Sequence, residues 1–159
     1  MNIFYLDPNP KTCAEMHVSK HVVKMIIETA QLLYTSHWVL SPTKIPEFAY
    51  KKSHVNHPSA IWCRESVENY NWLVDHFFAL MQEYTHRYDK THKCYGELSY
   101  MLQSPPKNLQ EWDMTTMPSA MADEYKISND PLTNYRNYYR IGKLKMHKWT
   151  NREPPEWIQ

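Results

Sequence analysis

Between Pro10 and Trp38 apolar residues recur at helical spacing around nearly the whole circumference, interrupted by one narrow line of polar side chains. At about 100° per residue, His17, His21, Lys24, Glu28 and Gln31 fall within about 80° of one another. Ala14, Val18, Val22, Met25 and Leu32 make one apolar face, and Val23, Ile27, Ala30 and Tyr34 make the opposite flank. Such a helix has to be largely buried, because both flanks must leave water. Burying neutral polar groups without partners costs on the order of 2–7 kcal/mol each. Five aligned polar side chains therefore imply a cleft, water or a ligand along the seam. The plainer alternative is a solvated row with an i,i+4 pair between Lys24 and Glu28.

Further along, the punctuation favours helices. Asn9-Pro10 supplies an N-cap and a first helical position, and the pattern runs to about Trp38. Residues 41–56 read as a loop, with Pro42 and Pro46 as breakers. Pro58 opens a second long helix, roughly 58–88, with Ile61, Trp62, Tyr70, Leu73, Phe77, Leu80, Met81 and Tyr84 at helical intervals. Thr91 caps a shorter helix through Leu102, and Ser104-Pro105-Pro106 stops it. Residues 104–129 read as irregular. Asp130-Pro131 starts a last helix to about Lys143, followed by an extended tail, and residues 2–6 form a short extended stretch ahead of the first helix. The expectation is an all-α fold spanning 1–159 as one compact domain, with two long packed helices, a shorter helix and a C-terminal helix plus tail.

Composition narrows the function classes. The chain has two glycines, Gly96 and Gly142, so neither a G-x-x-x-x-G-K loop nor a G-x-G-x-x-G turn can be written. Cys13, Cys63 and Cys94 are odd in number and lack C-x-x-C spacing, which fits a reducing cytoplasm better than a disulfide framework. No run approaches the ~18–20 apolar residues of a membrane span, and no signal peptide is visible at the start. The expected setting is therefore cytoplasmic, with no membrane partner.

Net charge is only +1, yet the stretch from Pro131 to Arg152 holds six Lys or Arg residues and no acidic one. Tyr135, Arg136, Tyr139, Arg140, Lys143, Lys148, Trp149 and Arg152 alternate rings with cations. That composition suits a nucleic-acid backbone and exposed bases, although aromatics in a core with charges on a surface would read the same way. Lys51, Lys52, His54 and His57 lead into the second helix, where free N–H groups favour anions. These residues and Gln31 are the candidate substrate contacts, with DNA as the expected partner.

In the seam, Glu28 suits a general base or electrostatic stabiliser, and His17 or His21 a proton shuttle or orienting group. Lys24, if desolvated, suits a Schiff-base amine. His17-x-x-x-His21 has zinc-ligand spacing but lacks the Glu of H-E-x-x-H. No cofactor or metal is expected. A metal-dependent hydrolase or nuclease using His17, His21 and Glu28 stands as an alternative, as does a non-catalytic nucleic-acid-binding protein.

The segments Lys20–Gln31, His54-Val55-Asn56-His57-Pro58 and Trp149-Thr150-Asn151-Arg152 resemble small bacteriophage proteins. More distantly, the chain is similar to pyrimidine-dimer DNA glycosylases of the endonuclease V type, which are compact all-α enzymes. In that family a His on the first long helix precedes a catalytic Glu by seven residues, a spacing matched by His21 and Glu28. Glu83, His86 and Arg87 resemble its second helix, and Tyr135 to Arg140 its Tyr- and Lys-rich C-terminus near DNA. The resemblance implies a DNA repair glycosylase acting on damaged pyrimidines such as UV dimers, with AP-lyase chemistry. One departure stands out. The family uses the α-amine of a processed N-terminal Thr, whereas this chain begins Met1-Asn2, and a bulky Asn2 discourages removal of Met1. The resemblance leaves Met1's amine, Lys24, or no lyase step at all.

Overall fold

The computed structural model describes residues 1–159 and contains no β-strand. Six α-helices carry the fold: α1 (Pro10–Met16), α2 (Ser19–Leu40), α3 (Pro58–Cys63), α4 (Val67–Tyr88), α5 (Glu97–Leu102) and α6 (Pro131–Asn137). The chain continues from α6 into a π-helical turn, Tyr138–Gly142. No helix is long and apolar enough to cross a membrane.

The caps read from the sequence form as chemistry requires. Asn9 Oδ1 accepts from the amides of Lys11 and Thr12, and the Asp130 carboxylate accepts from Leu132 and Thr133, each with Pro at the next position. Helix α4 lies against both α1 and α2, while α3 and α5 pack on α2. Its buried face presents Tyr70, Leu73, Phe77 and Leu80. At about 1.5–3 kcal/mol per large apolar side chain, this face holds the α1–α2 pair in place.

Both long helices of the sequence reading are broken. The first ends at Met16 and restarts at Ser19, because the intervening amides are claimed from far along the chain. The Val18 amide donates to the Tyr139 hydroxyl (3.2 Å) and the Ser19 amide to the Lys148 carbonyl (2.8 Å). The second breaks at residues 64–66, where Ser66 caps α4 through the Asn69 amide and the Val67 amide donates to Gln110. The shorter helix starts at Glu97 rather than near Thr91, behind Gly96 at φ +129°. Residues 2–6 are not extended, since Phe4 takes φ +58°. The last helix is α-helical only to Asn137 before the π-helical turn.

Candidate active site

The site begins with Asn2. Its side-chain oxygen accepts from the amides of Ile3 (2.7 Å) and Phe4 (3.2 Å), and its side-chain nitrogen donates to the Ala120 carbonyl (2.7 Å). These bonds stabilise the left-handed turn at Phe4, which costs a non-glycine residue about 1–2 kcal/mol. The turn lays the Phe4 ring flat on His21, with centroids 4.2 Å apart.

Anchored this way, the chain end meets α2. The Met1 amine stands 3.8 Å from Glu28 Oε2, and Lys24 Nζ lies 3.3 Å from Oε1 of the same carboxylate. The three side chains differ in their contact with water: Met1 is 3% exposed, Glu28 15% and Lys24 67%. Met1 as a whole residue is nevertheless only half-buried, so its solvent-facing atoms are main-chain ones. The i,i+4 pair foreseen in the seam therefore exists, and it is one side of a three-charge cluster.

His57 faces the same cluster. Burial lowers its pKa first, the nearby amino terminus and His54 lower it further, and Glu28 pulls the other way. Its Nδ1 accepts from the Ser59 amide (3.1 Å), capping α3 in the neutral form. On the far side of Phe4, Lys143 Nζ sits over the rings of Tyr138 (4.9 Å) and Phe4 (5.6 Å). Tyr138 in turn packs on Tyr125, and a Cβ at Gly142 would lie 2.6 Å from the Tyr138 ring, so this close approach requires glycine.

The two seam histidines point elsewhere. His21 Nδ1 receives the Tyr139 hydroxyl at 2.7 Å, and burial, reinforced by Lys143 and Lys24, lowers its pKa to about 3. It is a neutral wall of the site with no bond to Glu28. His17 lies off the seam because the helix breaks behind it. It is fully buried, with Nδ1 on the Cys13 carbonyl (2.7 Å). His17, His21 and Glu28 thus form no common ligand set, which corrects the metallohydrolase alternative. Gln31 is half-buried one turn beyond Glu28.

Among the candidate DNA contacts the structure separates two groups. Tyr135 and Tyr139 are fully buried, a correction to their place among stacking rings. Arg136 holds the Leu6 carbonyl (2.9 Å) and Asp7 (3.4 Å), Arg152 grips both oxygens of Glu83, and Trp149 donates to the Met16 carbonyl (2.9 Å). These side chains are committed within the fold. Glu83 and Arg87 are likewise structural, joined at 2.8 Å in the interior. Lys51, Lys52, His54, Arg140 and Lys148 are exposed and available to a partner.

The residues that sequence reasoning missed are Asn2 and Phe4. Asn2 had been weighed only for its bulk next to Met1, and nothing local marks Phe4 as part of a site; Tyr138 lay within the stretch from Tyr135 to Arg140 but was not singled out from it.

With this geometry in view, comparison with known families is informative: residues 1–96 match the family described as pyrimidine dimer DNA glycosylase. The chain belongs to this family. No curated protein matches it, and no solved structure does. The span shared with the pyrimidine dimer DNA glycosylases contains Met1, Lys24, Glu28 and His57. Tyr138 and Lys143, which complete the aromatic and cationic wall, lie beyond it. At the level of the family the function is that of a DNA glycosylase, and DNA is its substrate class.

Proposed function

We propose that this protein removes damaged pyrimidines, such as those of UV-induced dimers, by attack of the Met1 amine on the sugar, and that it then acts as an AP lyase. The observation that carries the reading is the Met1 amine 3.8 Å from the Glu28 carboxylate in a chain of this family. Lys24 is the weaker candidate nucleophile, because desolvation is what activates a lysine as a Schiff-base amine and its side chain is 67% exposed. Its charge suits a phosphate instead.

In this mechanism the ammonium first gives up a proton, and the neutral nitrogen bonds to C1′ of the damaged nucleotide. The bond from C1′ to the base breaks, and the base leaves with that electron pair and gains a proton from solvent. A proton then passes from the Met1 nitrogen to O4′ as the C1′–O4′ bond breaks with its electron pair going to O4′, which opens the sugar ring and leaves a cationic imine between the Met1 nitrogen and C1′. Glu28, already positioned for a cation, stabilises that charge. Loss of a C2′ proton then expels the 3′ phosphate, which is the lyase step. Lys51, Lys52, Arg140, Lys143 and Lys148 hold the duplex, and the Phe4, His21 and Tyr138 rings form a wall for a base turned out of the stack. The reaction takes place in the cytoplasm, in contact with DNA.

The test is Glu28→Gln assayed on UV-irradiated duplex. Glycosyl-bond cleavage, read as strand nicking at the dimer, should fall by about 10²-fold or more, the scale for losing a positioned charged or acid–base group, while DNA binding stays nearly intact. Unchanged turnover would overturn the mechanism.

A further inference from the structure

Deep between α1 and α4, away from Met1 and Glu28, three metal-type donors converge. Cys13 lies on α1 and His17, four residues on, caps its C-terminus, His76 reaches in from α4, and all three residues are fully buried. The Cys13 sulfur and one nitrogen from each ring lie within 4.8 Å of one another.

The hydrogen bonding around these groups is lopsided in an informative way. Each histidine uses Nδ1 for a backbone carbonyl: His17 for Cys13 (2.7 Å) and His76 for Pro10 (3.0 Å). This is how protein-bound metals have their imidazoles oriented, with the outer nitrogen on a carbonyl and the inner one facing the ion. The inner nitrogens are poorly served. His76 Nε2 is buried with no partner at all, and His17 Nε2 has only the Ile3 carbonyl at 3.4 Å. The Cys13 sulfur accepts from the Leu6 amide (3.3 Å), as metal thiolates do, and its own proton goes to the Phe4 carbonyl (3.4 Å), a bond given up when the thiolate forms. A buried nitrogen without a partner is costly, and here it belongs to a ring with a donor nitrogen within 4.8 Å of a second imidazole nitrogen and of a thiol sulfur. Trp72 stacks on His76 at 5.1 Å, supplying the apolar shell that fixes a ligand ring.

We infer that Cys13, His17 and His76 bind a structural zinc-class divalent ion, with a backbone carbonyl such as that of Ile3 in reach as a fourth ligand. One thiolate and two imidazoles are zinc-type donors and fill three of its four tetrahedral positions. Binding converts the Cys13 thiol to thiolate and releases one proton to solvent. With each Nδ1–H given to a backbone carbonyl, the lone pair of each ring stands on Nε2. The ion would pin α1 to α4 at the root of the segment that carries Met1.

The test uses the full chain refolded with one equivalent of Co²⁺, read by absorption. The site predicts a thiolate-to-cobalt charge-transfer band with intense tetrahedral visible bands, one bound ion per chain by elemental analysis, and a rise in Tm on adding Zn²⁺. The band should survive in Cys63→Ala/Cys94→Ala and vanish in Cys13→Ser. A wild-type chain showing only the spectrum of hydrated cobalt and an unchanged Tm overturns the inference, as does a band that persists in Cys13→Ser. These readouts need no DNA, so they are independent of the fate of the glycosylase reading.

Discussion

The Tyr135 hydroxyl lies 3.0 Å from the Asn2 side-chain oxygen, linking residues 133 positions apart and seating the start of the chain on α6. The same hydroxyl is 3.0 Å from the Pro118 carbonyl and accepts from the Ala120 amide, so it ties three segments together. The position of the Met1 amine depends on this junction, because Asn2 also holds the amides of Ile3 and Phe4.

Asn2→Ala should therefore disturb stability and chemistry together. Leaving buried donors unpaired costs about 1–3 kcal/mol, or roughly 2–4 °C in Tm per kcal/mol for a chain of this size. Base release should fall further than stability explains, since the amine loses its anchor. Calorimetry and a base-release assay on one preparation check this, and a variant with native Tm and turnover would refute it.

The division among the basic residues is testable through salt. Arg140→Ala and Lys148→Ala should weaken DNA binding without changing Tm, each lowering the slope of log K against log salt by about 1 if it contacts a phosphate. Arg152→Ala should do the reverse. Glu83 is 4% exposed and relies on Arg87 and Arg152 together, so removing Arg152 lowers Tm and leaves the salt slope unchanged. Fluorescence titrations between low and moderate salt distinguish the two classes.

Stability should fall on acidification in two stages. Burial lowers the His37 pKa to about 4, and its Nε2 donates to the Tyr70 hydroxyl, whose own proton goes to Leu102. Between about 6.5 and 4 the unfolded chain binds a proton at this position that the folded chain does not, so stability is lost as pH drops through that window. Glu83 acts lower. Burial pushes its carboxyl up, but hydrogen bonds from Arg152 and Arg87 outweigh this and hold it below the ordinary range. Its contribution is present above the ordinary carboxyl pKa and lost as pH falls through the depressed folded value. Urea midpoints from pH 8 to 4 should decline from about 6.5 downward, and His37→Gln should lessen that first decline. A flat profile would contradict the assignment.

The helical class and the caps at Asn9 and Asp130 were legible because they depend on neighbours in sequence. So was the Lys24–Glu28 pair, which needs only one turn of helix. The break at residues 17–18 was not, because its causes are a hydroxyl at Tyr139 and a carbonyl at Lys148. That break alone moved His17 from the seam into the α1–α4 interior. The C-terminal rings misled for a related reason. Tyr135 and Tyr139 are four residues apart and share a helical face, and only tertiary packing determines whether such a face meets DNA or the core. Asn2 gave no signal, since a single side chain that organises a chain terminus has no periodicity.

The most direct test of the central claim is borohydride trapping on UV-irradiated duplex, followed by peptide mapping of the adduct. The structure predicts a covalent adduct on the peptide containing Met1, unchanged in position by Lys24→Ala and abolished when a residue is added ahead of Met1 to displace the amine from Glu28. An adduct mapped to Lys24, or full trapping by the extended chain, would contradict the assignment of the Met1 amine as nucleophile.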